Sequence, residues 1–325
     1  MNWPVDFESV TDESSFQRRA LEVFRLQASE VKVYGDYLSA IGIRPEQITT
    51  WEQIPYLPVE LFKKHSVRNE KEIQQVFSSS GTTGERSRHE VADLSIYERS
   101  FALGFKGFYG DISEYCLLAL LPGYYENTSS SLLYMVSKLM AGSGHFLSGY
   151  YDYADFDRLA DVLAELRGEG QKTILWGIPF ALLDFCGEHA VEFPELIVME
   201  TGGMKGRRKE LVREELHLVL QKALKVPAVH SEYGMTELLS QAYSQGHGVY
   251  RCPSWMRVRI REVNDPFSFC KTGKTGGVCI TDLANIHSCA FIAVQDLGRL
   301  REDGSFEVLG RFDSADQRGC NLMVE

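Results

Sequence analysis

Between Tyr115 and His230 the chain alternates short apolar runs with longer segments whose apolar residues recur at helical spacing. Cys116-Leu-Leu-Ala-Leu-Leu reads as a strand ending at Pro122, and Ser130 to Met140 as a helix stopped by Gly142 and Gly144. His145 to Gly149 gives a short strand, followed by a helix from about Asp155 to Leu166. Thr173-Ile-Leu-Trp is a strand, and Pro179 opens a helix that runs through Phe185. Leu196-Ile-Val-Met is the next strand, a charged helix spans about Arg208 to Leu224, and Ala228-Val-His closes the series. Such alternation predicts a largely parallel sheet covered by helices. Upstream, Phe16, Ala20, Val23, Phe24 and Val31 repeat with a helical period, so residues 13 to about 41 read as one helix capped by Ser14 or Ser15. Pro55 and Pro58 break that pattern. Beyond residue 246 the period changes to two. Met256-Arg-Val-Arg-Ile-Arg, Gly277 to Thr281, Phe291 to Val294 and Phe306 to Leu309 read as short antiparallel strands, with Asp303-Gly304 as a hairpin turn. The expected architecture is an α/β core over residues 1–246 and a smaller β-rich subdomain over 247–325.

Against this pattern one stretch has little to bury: Ser78-Ser79-Ser80-Gly81-Thr82-Thr83-Gly84, continuing Glu85-Arg86-Ser87-Arg88. It reads as a loop that offers hydroxyls and backbone N–H groups at close range, an array suited to phosphate oxygens. No Gly-Lys-Ser/Thr follows, so it is not a Walker loop. A flexible linker is the alternative reading. Three further loops fall where ligands bind in open α/β sheets, beyond the carboxyl ends of strands. They are Glu200-Thr201-Gly202-Gly203, Ser231 to Glu237, and Asp296-Leu297-Gly298-Arg299. Each alone is also readable as a glycine turn, a helix cap or a polar loop.

Composition narrows the classes. The 325 residues are 44% hydrophobic and 24% charged, ordinary for a globular protein, with a net charge of −11 that argues against a nucleic-acid-binding face. The seven cysteines form no Cys-x-x-Cys pair, which speaks against a zinc site and fits free thiols in a reducing compartment. Neither a signal peptide nor an apolar run of membrane-spanning length is found, so the expected location is the cytoplasm.

Taken together, Ser80-Gly-Thr-Thr-Gly84, Thr201-Gly-Gly203, Tyr233-Gly-Met-Thr-Glu237, Asp296 and Gly310-Arg311-Phe312-Asp313 stand in an order that resembles the large domain of the adenylate-forming acyl- and aryl-CoA ligases. Ile54-Pro-Tyr-Leu-Pro58, Thr201-Gly-Gly-Met-Lys205 and the ending from Gly310 to Val324 are most similar to the acyl-protein synthetase (LuxE) branch and its phenylacetate-CoA ligase relatives. The resemblance implies ATP-dependent activation of a carboxylic acid, fatty in the closest branch, to an acyl-adenylate. The loop residues Ser79, Ser80, Gly81, Thr82, Thr83 and Gly84, with Arg86, would then grip phosphates. Gly202, Gly203, Tyr233 and Gly234 would face the adenine, Asp296 the ribose and Thr236 the α-phosphate. Glu237 would hold Mg²⁺, and Arg311 would assist at the ribose or phosphate. Tyr124, Tyr125, Trp176, Ile178, Pro179 and His230 are candidates for the acyl pocket, with core packing as the alternative. His89 and His145 receive no role.

Two departures accompany the resemblance. Arg86, Ser87 and Arg88 stand where the family has Pro-Lys-Gly, and the sequence stops at Glu325, where the family's mobile C-terminal domain would follow. The resemblance implies that Cys320, near the end of the sequence as in acyl-protein synthetases that take the acyl group onto a thiol there, is an acceptor whose ionisation Arg311 and Arg318 would favour, with an ordinary tail cysteine as the alternative. Alternative acceptors are coenzyme A and an acyl-carrier protein, with a reductase or acyltransferase as partner. A nucleotide-binding subunit without activity is the reading from another class.

Overall fold

The computed structural model describes residues 6–79, 86–122, 129–202 and 212–312. Its N-terminal part holds two helices, α1 (Glu13–Glu30) and α2 (Lys32–Ala40), rather than the single expected one. Val31 separates them in an extended conformation and is fully buried. The cap of α1 is Asp12, not Ser14 or Ser15. Its carboxylate accepts from the Ser15 N–H at 2.7 Å, and the Ser15 hydroxyl answers the Asp12 N–H, a reciprocal capping box.

There follow β1 (Leu57–Pro58), α3 (Leu61–Lys64), β2 (Gln75–Ser78), β3 (Arg88–Val91), α4 (Leu94–Tyr109), β4 (Cys116–Leu120), α5 (Ser131–Ser143), β5 (Gly149–Tyr150) and α6 (Phe156–Glu169). The chain continues through β6 (Thr173–Gly177), α7 (Pro179–Glu188), β7 (Ile197–Thr201), α8 (Arg213–Leu224) and β8 (Val229–Tyr233). It ends with β9 (Ala242–Ser244), β10 (Val249–Arg251), β11 (Met256–Arg261), β12 (Thr275–Asp282), β13 (Phe291–Leu300) and β14 (Phe306–Arg311).

The expected mixed α/β architecture is present, as one large sheet in the order β11-β12-β13-β14-β10-β9-β8-β7-β6-β4-β5, with β1 paired to β13. The half from β8 to β5 is parallel and the half from β9 to β11 is antiparallel. Residue 246 falls between β9 and β10, within this continuous ladder. The short strand expected over His145 to Gly149 is instead β5, displaced toward Tyr150. Helix α4, capped by Asp93, carries Tyr97, Phe101, Phe105 and Tyr109 on its buried face.

Two apolar cores lie on the two faces of the parallel strands. Leu117, Ala119, Ile174, Trp176 and Met199 pack towards α4, α5 and the N-terminal helices. Leu118, Leu175, Val198 and Val229 pack towards α6, α7 and α8. Complete burial of both faces explains why these strands read as continuous apolar runs. Among the described residues, no helix is long and apolar enough to cross a membrane.

Candidate functional site

The serine-rich stretch is the connection of the β2–β3 hairpin, whose last pair is Ser78 with Arg88. Its base is clamped: Ser79 N–H donates to the Ser87 carbonyl and Ser87 N–H to the Ser79 hydroxyl, both at 3.1 Å. Ser80, Gly81, Thr82, Thr83 and Gly84 lie outside the described residues, as do Gly203, Tyr124, Tyr125 and Cys320. Arg86 is exposed at the exit of the loop, beside buried Ser87.

The turn that follows β8 is built from afar. The Thr236 carbonyl accepts from His89 Nδ1 of β3 at 2.8 Å. The Glu237 carbonyl accepts from Asn285 Nδ2 at 2.8 Å. The N–H groups of Leu239 and Ser240 both donate to Asp282 Oδ2, at 2.8 and 2.9 Å. Gln27 of α1 in turn holds the Asn285 segment, donating to the carbonyls of Asn285 and Ile286 and accepting from Ala290 N–H. These four backbone groups of the turn thus have partners fixed by distant elements, which makes its conformation a property of the fold.

Glu237 is 4% exposed. Burial raises its carboxyl above the usual range, partly offset by the Ser87 hydroxyl, its own backbone N–H, Arg311 and Lys63. Ser87 at the loop exit, Arg311 of the last strand and Lys63 of α3 thus all act on this carboxyl; Lys63 escapes sequence reading because nothing local marks it.

Asp296 is not in a loop after a strand ending at 294; it sits within the ten-residue β13. The strand carries a register shift at Leu297/Gly298, and Asp296 is directly opposite Arg311 of β14. Tyr233 Oη donates to Asp296 Oδ2 at 2.7 Å, and Arg311 Nε donates to Oδ1 at 3.1 Å. A carboxylate has about four acceptor sites, so two remain for the hydroxyls of a sugar. The Tyr233 ring is wedged edge-on against Tyr250 and Phe306, at 5.8 and 5.7 Å. Ser231, Glu232 and Tyr233 are likewise strand residues, not loop.

Gly202 follows β7 at φ +80°, and among the described residues no atom lies within 4 Å of where a Cβ would stand. Both the backbone angle and the clearance suit a flat ligand against the chain. Trp176 is fully buried on the α4 face, and Ile178 is half-buried at the start of α7 beside Pro179. His230 is neighboured by Tyr109, whose hydroxyl lies 3.1 Å from Nδ1. Trp176, Met199 and His230 form one cross-strand row, so His230 lies on the α4 face.

Burial, opposed by hydrogen bonds to Thr236 and Asn285, holds His89 down to about 4. It is therefore neutral in the fold and near 6.5 when unfolded, so its stabilisation is complete above pH 6.5 and is lost as pH falls towards 4. His89→Asn keeps a donor for the Thr236 carbonyl but binds no proton. The stability advantage of the parent over this variant, from urea unfolding, should shrink by about 3 kcal/mol between pH 7 and pH 4. An advantage that stays constant would mean that His89 accepts its proton within the fold.

The fold is shared with adenylate-forming enzymes. A structure of 2-hydroxyisobutyryl-CoA ligase in its postadenylation state aligns with a TM-score of 0.70 at 14% identity, over 93% of this chain and 68% of that one. The same ligase in its thioesterification state gives 0.68 at 14% identity, over 97% and 75%. ATP-bound MatB from Rhodopseudomonas palustris gives 0.57 at 16% identity, over 75% of this chain, which spans about half of MatB (49%). A search of curated proteins finds no match. The sequence matches the family described as acyl-protein synthetase, LuxE, over residues 3–325, and the chain belongs to that family.

Proposed function

We propose that the protein activates a carboxylic acid, fatty in the first instance, with ATP and passes the acyl group to a thiol. The observation that carries this reading is the meeting of three elements at the carboxyl end of β8. These are the clamped hairpin loop, the Thr236–Glu237 turn and the Tyr233–Asp296–Arg311 cluster. In this reading one carboxylate oxygen of the acid attacks the α-phosphorus of ATP, the bond to the β-phosphate oxygen breaks, and pyrophosphate leaves. The hairpin loop with Arg86 would receive phosphates, Thr236 the α-phosphate, Asp296 the ribose, and Gly202 and Tyr233 the adenine. Such chemistry depends on positioning and charge neutralisation. Mg²⁺, which would supply that neutralisation, commonly takes one or two carboxylates and completes its shell with phosphates and water. Glu237 would be such a carboxylate; among the described residues no group of three His, Cys, Asp or Glu could hold a metal.

Acid-dependent ATP–pyrophosphate exchange, run from acetate to long-chain and aromatic acids, tests the activation step. Exchange with one class of acid names the substrate; none with any acid, from protein that binds ATP, sinks the reading.

For the second step, the thiols of all six described cysteines are raised above their ordinary value, which disfavours the thiolate. Burial pushes the thiols of Cys186, Cys252, Cys279 and Cys289 up to about 12 and that of Cys116 up to about 11, and Cys270 is also raised. This supports Cys320 as acceptor: its thiolate would attack the acyl carbonyl and release AMP, leaving a thioester. Cys320→Ser should retain pyrophosphate exchange while losing a hydroxylamine-sensitive acyl label. A label undiminished in that variant would assign the acceptor elsewhere, with coenzyme A or a carrier thiol next in line.

A further inference from the structure

The segment that runs through β1 and α3 brings a cation to the Thr236–Glu237 turn from a distant part of the chain. Its course is fixed by β13. Leu57 and Pro58 pair in parallel with Ile292 and Ala293. The Val59 N–H donates to the Ala293 carbonyl at 3.0 Å, and Gln295 Nε2 donates to Glu60 Oε1 at 2.6 Å. Residue 60 therefore stands beside Gln295, one position short of Asp296. The Gln295 carbonyl also accepts from the Phe312 N–H at 2.8 Å, so the chain leaving Arg311 is tied to the same residue. Further along, Phe62 of α3 is buried, with its ring edge-on to the His89 imidazole at 5.9 Å. His89 is the side chain that holds the Thr236 carbonyl. Lys63, the next residue, is thus anchored on two sides: through Glu60 to the Asp296–Arg311 pair, and through Phe62 to the Thr236–Glu237 turn.

The ammonium group at this place is uncommitted. Among the described residues Lys63 forms no ion pair, yet it acts on the Glu237 carboxyl together with Arg311, both opposing the rise that burial causes. Lys63 is exposed, and so is the Arg311 side chain, at 56%, so an anion arriving from solvent reaches both without a closed cavity. Arg311 is already engaged with Asp296 at 3.1 Å, and Arg88 of β3 lies 3.9 Å from Glu90. Adenylation sets an anionic carboxylate against an anionic phosphate, beside Glu237 as a third negative group. Coulomb repulsion opposes that approach unless a cation stands by, the more so where water is thin. An ammonium is a compact point charge with three donors on a flexible stem, which suits the oxygens of a phosphate.

We propose that Lys63 is a catalytic residue, whose ammonium contacts the α-phosphate of the bound nucleotide and neutralises the charge that the attacking carboxylate brings to it. This rests on the adenylation reading and adds a catalytic group to it. The lysine keeps its proton throughout: the bonds that form and break are those of the α-phosphorus, and Lys63 supplies only charge and hydrogen bonds to its oxygens. Glu237 remains free to take the divalent cation on the other side of the same phosphate. The β1–α3 segment then serves as an arm that carries one cation from the N-terminal part of the chain to the carboxyl end of β8.

The test sets the parent beside Lys63→Met, Lys63→Arg and Lys64→Met. The two lysines are exposed, so all three variants should unfold at the parent's urea concentration. Calorimetric titration with AMP and with ATP and Mg²⁺ reads the contact itself. Lys63→Met should bind both nucleotides about ten-fold more weakly. Lys64→Met, displaced by roughly 100° around the helix, should bind them as the parent does. In pyrophosphate exchange Lys63→Met should lose about 100-fold in kcat beyond its effect on the KM for ATP, and Lys63→Arg should recover at least about ten-fold of that loss. Unchanged binding of AMP by Lys63→Met overturns the proposal: with ATP also unchanged Lys63 is a solvated surface charge, and with ATP alone weakened its contact is to the outer phosphates. An equal loss in Lys64→Met overturns it too, as a general effect of surface charge. If no acid supports exchange in the parent, the adenylation reading fails, and the AMP titration still decides for Lys63. A parent that binds neither nucleotide overturns both.

Discussion

Glu237→Gln should abolish acid-dependent pyrophosphate exchange, by about 100-fold or more, while leaving the protein as stable as before or slightly more so. The two halves of this expectation have one cause. The carboxyl is 4% exposed, and burial is the largest influence on it, raising it above its ordinary range. A neutral isostere removes that desolvation penalty, which for a buried charge exceeds the value of a single hydrogen bond. The turn itself is held through backbone groups, by His89 at Thr236 and by Asn285 at Glu237, so its shape does not depend on the charge. What glutamine cannot replace is a negative oxygen for a divalent cation. Loss of activity with retained or increased thermal stability is the pattern of a residue kept for chemistry at the expense of stability. A variant that exchanges pyrophosphate normally would place the cation, and the role of Glu237, elsewhere.

Much of this arrangement can be read along the chain, and what cannot has identifiable reasons. The parallel strands are buried on both faces, so their apolar runs are unbroken and their positions come out within a residue or two. Strand β13 is harder, because it alternates buried and half-buried positions. Gln295 and Asp296 look like the end of an apolar run, although Asp296 is an inward position of the same strand. A polar residue on an inward face is the mark of a site, but the face is visible only once the register with Arg311 is known. The scaffold of the 236–240 turn had no local signal at all. Gln27 lies 258 residues from the Asn285 carbonyl it holds, and no periodicity relates positions that far apart.

That scaffold has one member on which the rest converge, and Asp282→Ala should lower stability by about 3–5 kcal/mol, or the apparent Tm by about 10 °C. Asp282 closes β12 fully buried, and its two oxygens accept from four donors. These are the N–H groups of Leu239, Ser240 and Ala284, at 2.8, 2.9 and 3.1 Å, and the Ser240 hydroxyl at 2.5 Å. The Ser240 hydroxyl also receives Trp255 Nε1 at 2.9 Å and lies 2.9 Å from the Ser100 hydroxyl of α4. Alanine would orphan three buried N–H groups at once and leave a cavity. Burial raises the Asp282 carboxyl, so a neutral replacement that keeps the acceptors should be tolerated better. Asp282→Asn, which retains one oxygen, should recover about half of the loss. Because the same carboxyl fixes the residues directly after Glu237, Asp282→Asn should also reduce pyrophosphate exchange at temperatures where the protein remains folded. Urea unfolding and exchange, measured on both variants at 20 °C, would check this. Equal stability of the alanine variant and the parent would mean that the 236–240 turn holds its shape without Asp282.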